Sequence, residues 1–377
     1  MVKNVIIIGG GVIGLSIARE LHKRGVRDIT LVEQGICGTE ASWAAAGMLG
    51  PQVEADELGS FFRLCSRSRD LYPHLSAALL DETGVDIELD RSGTLSVAFT
   101  ESEMETLVER FQKQSDAGLA VEMMSRSEIL RVEPSISGDV VGGLYFTGDW
   151  QVENRRLLLA LRRYAELNGV SICENTSVRA LIFDGKSVVG VETDEGAIHA
   201  DLTIAATGAW TSLIKFRRAE LPIRVEPVRG QIVAYQPNEK VLRHIVYSPR
   251  GYVVPRADCR ILAGSTAEFA GFDRSTTIDA AENLQRVAAE IVPALADQTI
   301  VDQWAGLRPF TIDGLPIMGE VGDTDDFLIA TAHYRNGVLL APVTAEIIAE
   351  RVTIGKIDPA FADFRVDRFE RSFAFSN

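Results

Sequence analysis

Between Val5 and Val32 the apolar positions change rhythm twice. Val5, Ile6, Ile7 and Ile8 are contiguous and β-branched, the pattern of a strand buried on both faces. Val12, Ile13, Ile17, Ala18 and Leu21 then recur every third or fourth position. Arg19, Glu20, Lys23 and Arg24 fall on the opposite side, which predicts an amphipathic helix stopped by Gly25. Ile29–Val32 reads as a second strand, ending at Glu33. Gly9, Gly11 and Gly14 fit G-x-G-x-x-G between the first strand and the helix. The first glycine permits the tight turn, the second lets a pyrophosphate approach the backbone, and the third lets helix and strand pack closely. Glu33 follows about 20 residues on, where an acid reaches a ribose diol. A ligand-free glycine turn is the weaker reading, because strand, turn, helix and acid all occur at the spacing of a dinucleotide-binding βαβ unit.

Helical rhythm returns over about 57–83, where Phe61, Phe62, Leu64, Leu71, Leu75 and Leu79 recur and Pro73 is expected to bend or break the run before Gly84 closes it. Short strands are expected at Ile87–Leu89 and Thr94–Phe99. Further helices are expected from Ser102 (as N-cap) to Ala117 and at Leu157–Leu167, the latter capped by Asn154. Ser171–Cys173, Val178–Phe183, Val188–Thr193 and Ala197–Ala200 alternate as strands, with Asp184-Gly185 as one turn. Leu202–Ala205 is a fully apolar strand running into Ala206-Thr207-Gly208. Val225–Tyr235, Ile245–Tyr247, Tyr252–Pro255 and Ile261–Ala263 predict an antiparallel sheet, and Asp279–Ile291 a helix. The stretch Ala330–Pro342 opens a final helix to about Val352. The fold class is α/β: a discontinuous Rossmann-like domain with a mostly antiparallel β domain carrying helices inserted in it. The first comprises 1–85, 141–220 and 300–377, and the second 86–140 and 221–299.

Composition narrows the function. The 377 residues are 46% hydrophobic and 24% charged, ordinary for a globular chain with real cores. A formal charge of −15 argues against nucleic acid or an anionic membrane as partner. Four cysteines (Cys37, Cys65, Cys173, Cys259) and five histidines show no metal-ligand spacing, so no metal is expected and the thiols are read as reduced. The first strand starts by Val5 and no run nears the ~18 apolar residues of a membrane span, so the expected location is the cytoplasm, without signal peptide or membrane anchor.

Several stretches carry a resemblance. The N-terminal unit, the small-residue run Ala41–Leu49, Ala206–Trp210, Gly306-Leu307-Arg308-Pro309 and His333–Leu340 together resemble the FAD-dependent D-amino-acid oxidase family, in that family's order and over nearly the whole chain. Within it they are most similar to the bacterial glycine oxidases that feed thiamine thiazole synthesis. The resemblance implies that Gly9, Gly11, Val12, Ile13 and Gly14 lie along the FAD pyrophosphate and that Glu33 and Gln34 hold the adenosine ribose. Ala41 and Ser42 would reach phosphate or ribityl oxygens, and Ala46, Gly47 and Met48 would pass along the isoalloxazine. Val178 would meet adenine through its backbone, and Thr207 and Gly208 would close over the cofactor. His333, Tyr334, Arg335, Asn336, Gly337, Val338 and Leu339 would offer a helix N-terminus to the flavin pyrimidine. No second glycine fingerprint signals NAD(P)H. No cysteine lies between Trp304 and Met318, where relatives tether flavin, so non-covalent FAD is expected.

The resemblance also implies the chemistry: oxidation of a small amino acid to its imine, with hydride passing from Cα to the flavin, oxygen as final acceptor, and 2-oxo acid, ammonia and peroxide as products. A guanidinium grips a carboxylate through two parallel bonds, so Arg308, set in an apolar glycine-flanked turn without a nearby acid, is the expected clamp. Tyr252 and Arg335 are the further catalytic candidates. Glycine, sarcosine and small D-amino acids are the expected substrates, with Met48, Arg250 and Ala267 as positions that tune room. A homo-oligomer, a tetramer by resemblance, is expected. The alternatives are a D-amino-acid dehydrogenase passing electrons to a quinone, a broader D-amino-acid oxidase, and a flavin-binding protein without amine chemistry.

Overall fold

The computed structural model describes residues 2–216, 219–220, 223–322 and 324–369. Its centre is a six-stranded sheet in the order Ile317–Glu320, Phe327–Thr331, Leu202–Ala205, Asn4–Ile8, Asp28–Val32 and Ser171–Cys173. All neighbours run parallel except the edge strand Ile317–Glu320. Successive side chains on a strand point to opposite faces, and here both faces are covered. Val5 and Ile7 pack with the helices Val12–Lys23, Ser60–Thr83, Asn154–Leu167 and Gly337–Ile354. Ile6 and Ile8 pack instead with Leu181, Val188 and Val191 of a five-stranded sheet built from residues 178–220. The unbroken apolar run at 5–8 is the signature of that double burial.

Glycine contacts set the spacing at the first turn. A Cβ on Gly14 would lie 1.9 Å from the Gly9 carbonyl oxygen, and one on Gly9, whose φ is +108°, would lie 2.4 Å from the Ala206 carbonyl oxygen. Strand, helix and the 206–208 turn therefore meet backbone to backbone. The helix Gly337–Ile354 continues through Pro342. Pro342 has no N–H for the Val338 carbonyl, and the buried Tyr72 hydroxyl donates to that carbonyl in its place. Ser68 Oγ donates to the next carbonyl, Leu339, at 2.6 Å.

The second large layer is an eight-stranded, mostly antiparallel sheet in the order Asp302–Phe310, Glu226–Tyr235, Ile261–Gly264, Gly251–Pro255, Ile245–Ser248, Thr94–Ala98, Gly142–Phe146 and Glu122–Ser125. Val233, Tyr235 and Val253 on one face pack under the helix Ile278–Ile291. Ile232, Tyr252 and Trp304 face the other way, towards Ala44 and Ala46. Gly142–Phe146 and Asp302–Phe310, grouped on the sequence with the dinucleotide unit, are strands of this sheet, and the boundary at 220–221 falls on residues outside the described side chains.

Some local expectations differ. Pro73 does not break its helix, which runs unbroken from Ser60 to Thr83 and ends on Gly84 in the left-handed region. Ile87–Leu89 forms no strand, because Glu88 sits at φ +53° and only Asp90 bridges to Gln151. Thr100, not Ser102, caps Glu101–Asp116, in a capping box with Glu103. Glu153 caps Asn154–Leu167 and leaves the Asn154 side chain for another task. Among the described residues no helix is long and apolar enough to cross a membrane.

Candidate active site

A single long cavity, about 1950 Å³ of empty space partly open to solvent, runs between the parallel sheet and the inner face of the eight-stranded sheet. Its first end lies at the carboxyl ends of the parallel strands, where open α/β sheets place ligands. Glu33, Gln34, Thr176 and Val178 line it there. Glu33 Oε2 accepts from the Gly10 N–H at 2.7 Å and Oε1 from the Gly35 N–H at 2.9 Å. Each oxygen keeps a lone pair for a ligand hydroxyl. Next come Gly9, Gly11, Val12 and Ile13 at the helix start, where the first N–H groups lack intrahelical partners. Ser42 Oγ accepts from the Val12 N–H at 3.0 Å, tying the small-residue run to that helix end.

The middle of the cavity is walled by Ala41, Ala44–Met48, Thr207 and Gly208. The far end is walled by Tyr252, Arg308 and the turn His333–Val338. Ala332 and Tyr334 both adopt left-handed φ, +59° and +45°, backbone strain held at the start of the last helix. His333 is buried, its Nε2 2.9 Å from Thr344 Oγ1, and burial pushes its pKa down to about 3. The imidazole is therefore neutral at pH 7, and any positive potential at this turn comes from the helix N-terminus. Gly14 and Leu339 do not line the cavity. Gly14 acts as the close-packing point, and Leu339 is 1% exposed in the core between helices.

Arg308 reaches the cavity from the edge strand Asp302–Phe310. Nη1 donates to the Thr266 carbonyl at 2.9 Å and Nη2 to Ser265 Oγ at 2.8 Å. Each of these nitrogens keeps a second N–H, and no carboxylate stands within ion-pair distance among the described residues. Burial is the largest influence on its pKa and pulls it down, the cost of holding a cation without a partner. The guanidinium lies against Gly230 on the neighbouring strand, where a Cβ would sit 2.2 Å from Cζ, Nη1 and Nη2. If Arg308 holds a substrate carboxylate, Gly230→Ala is expected to displace the guanidinium and raise the KM for that substrate about tenfold, with cofactor content unchanged, in steady-state assays. An unaltered KM would show that the arginine does not need this flat seat.

Behind Ser265–Thr266 lies support that sequence patterns did not reveal. Thr266 Oγ1 donates to Glu268 Oε1 at 2.5 Å, and Glu268 Oε2 pairs with Arg229 at 2.5 Å. Arg256 is a second such residue. Its Nη2 donates to the Ala46 carbonyl at 2.9 Å and to Asn154 Oδ1 at 3.1 Å, and Nη1 donates to the Val152 carbonyl at 2.8 Å and Gln151 Oε1 at 3.2 Å. Asn154 Nδ2 in turn donates to the Ser42 and Trp43 carbonyls.

Arg335 is not a free cation. Its Nη2 pairs with Glu54 at 2.7 Å and meets the Tyr247 hydroxyl at 3.1 Å. Arg250 and Ala267 stand off the cavity wall, Arg250 pairing instead with Glu290 and Glu103. Met48 is on the wall.

Comparison with known proteins agrees with this geometry. Residues 4–351 match the family model of DAO, the FAD dependent oxidoreductases. Glycine oxidase of Pseudomonas aeruginosa is 37% identical over 96% of this chain and 98% of its own length. The bifunctional protein ThiO/ThiG of Trichormus variabilis is 36% identical over 98% of this chain, which spans 56% of that longer protein. The crystal structure of glycine oxidase from Geobacillus kaustophilus superposes with a TM-score of 0.91 at 34% identity, covering 98% of this chain and 99% of that one. An elongated cavity from an acid-bearing βαβ turn to an unpaired arginine has the form an extended dinucleotide with a reactive far end requires. With the family match spanning most of the chain, it makes this protein a member of the DAO family of FAD dependent oxidoreductases.

Proposed function

We propose that the protein oxidises glycine and other small amino acids, sarcosine and small D-amino acids among them, with oxygen as acceptor. The observation that carries this is Arg308, a cation without an acidic partner among the described residues, with N–H groups to spare, deep in the cavity that fits FAD. Bound FAD supplies a two-electron acceptor that oxygen can regenerate with release of peroxide. In our reading Glu33 and Gln34 hold the adenosine ribose, the Gly9–Ile13 turn and Ser42 the pyrophosphate, and Val178 the adenine. Ala46–Met48, Thr207-Gly208 and the turn 333–338 bound the flavin, held without a covalent bond.

Arg308 orients the substrate carboxylate, and Tyr252, stacked on Tyr247 with centroids 6.1 Å apart, adds a hydroxyl from the same wall. Fixing the carboxylate fixes the direction of the Cα–H bond, so positioning carries most of the rate and no carbon base is required. Ala44, Ala46 and Ile232 give the middle of the cavity an apolar wall. The resemblance supports a cytoplasmic enzyme, with thiamine synthesis as its setting and a homo-oligomer as its form.

Glycine added without oxygen is expected to bleach the flavin absorbance, and air to restore it with peroxide formed. No bleaching with glycine, sarcosine or D-alanine would sink the reading. Bleaching followed by sluggish oxygen turnover would instead favour a dehydrogenase.

A further inference from the structure

The wall around Arg308 carries a second guanidinium, Arg335, and one carboxylate, Glu54. Glu54 Oε1 accepts from Arg335 Nη2 at 2.7 Å, across 281 residues of sequence. Both side chains line the cavity, with Glu54 20% exposed and Arg335 34% exposed at its mouth. The loop that presents Glu54 is pinned from behind, because the fully buried Asp149 accepts from the Gln52 N–H at 3.1 Å and the Val53 N–H at 2.7 Å. Of two cations at this end, one is matched internally and one is not.

We propose that Glu54 is a specificity-determining residue that, by occupying Arg335, restricts the site to amino acids bearing a single carboxylate. The proposal rests on Arg308 as the carboxylate anchor. One uncompensated charge matches one substrate carboxylate. A second acidic group would have to displace Glu54 from Arg335 or stand unpaired beside it, and like charges at such range oppose binding. Specificity of this kind is a built-in repulsion, not an added contact. An ordinary surface ion pair would make no such discrimination, since it would be solvent-screened and outside the cavity.

The test titrates the FAD-loaded enzyme with acetate and malonate, a mono- and a dicarboxylate without an amine to oxidise, followed by flavin absorbance and calorimetry. Glu54→Gln is expected to raise the affinity of malonate relative to acetate by about tenfold or more, the scale of one charge-assisted pair. Adding Arg335→Leu should abolish that gain. Arg335→Leu alone leaves Glu54 unpaired and should lower the ratio below wild type, which keeps the idea testable if Glu54→Gln does not fold. A ratio within twofold of wild type in folded Glu54→Gln, a gain that survives the double variant, or an Arg335→Leu ratio at or above wild type each overturns the proposal. Because neither ligand is oxidised, failure to turn over any amino acid would defeat the oxidase reading and leave this comparison standing.

Discussion

Arg308→Leu is expected to raise the KM for glycine by about two to three orders of magnitude while the protein keeps its flavin. The size follows from removing one partner of a desolvated, hydrogen-bonded charge pair, which costs about 2–5 kcal/mol. Arg308 has the geometry for that role: both Nη atoms are anchored to Ser265 and Thr266, and each retains an N–H directed elsewhere. Arg308→Lys should recover only a small part of the loss, since an ammonium restores charge but not the planar fork. Initial rates of peroxide formation over a wide glycine range give KM and kcat, and the flavin spectrum reports cofactor retention. A KM within threefold of wild type would remove Arg308 from the substrate site and shift attention to Arg335. The two arginines are distinguishable in advance, because Arg335 already has Glu54 at 2.7 Å and Arg308 has no acidic partner among the described residues.

How much of this was legible in the chain depends on the reach of each interaction. The βαβ unit is local. Its strand, turn and helix are contiguous, and Gly9 and Gly14 meet within six residues, so the pattern is written in one stretch. Arg308 could be singled out because an arginine in an apolar, glycine-flanked stretch lacks a local acid, although that stretch, read as a turn, is the edge strand Asp302–Phe310. The partners of these residues could not. Arg256 meets Ala46 across 210 positions, Arg335 meets Glu54 across 281, and Arg308 rests on Gly230 from an adjacent strand. No periodicity or spacing encodes such pairings. Local rules also yielded to tertiary ones. The helix Ser60–Thr83 keeps its course through Pro73 because its buried face, Leu64, Cys65, Tyr72, Leu75 and Leu79, is held on the helical layer. Ile87–Leu89 has apolar positions suited to a strand, but the turn at Glu88 takes the segment out of register.

Arg256→Met should be the most damaging change outside the substrate end, with about 3–5 kcal/mol of stability lost and the flavin released on purification. Arg256 is 4% exposed and bridges the Ala46 segment to the Gln151–Asn154 segment. Its four donated bonds hold the Ala46 and Val152 carbonyls and the side chains of Gln151 and Asn154, and its Nε stands 3.3 Å from Glu153 Oε2 without hydrogen-bond geometry. Methionine fills much of the volume but leaves those acceptors buried and unmet. Glu153 would keep Arg260 at 3.0 Å, so the damage falls on the Ala46 side. That side is tightly coupled: Gly47 is left-handed, a Cβ there would lie 2.1 Å from the Val152 carbonyl oxygen, and Met48 and Leu49 pair with Gln151 and Trp150. Loss of the Arg256 bonds frees the Ala46–Met48 strip that walls the cavity where we place the flavin. Equilibrium urea unfolding with and without added FAD measures the stability, and absorbance of the purified variant measures retention. If Arg256→Met keeps its flavin and its urea midpoint, the strip is held by its strand pairing alone. The contrast with Arg308→Leu is diagnostic: one variant loses the substrate and keeps the cofactor, the other loses the cofactor with the wall that bounds it.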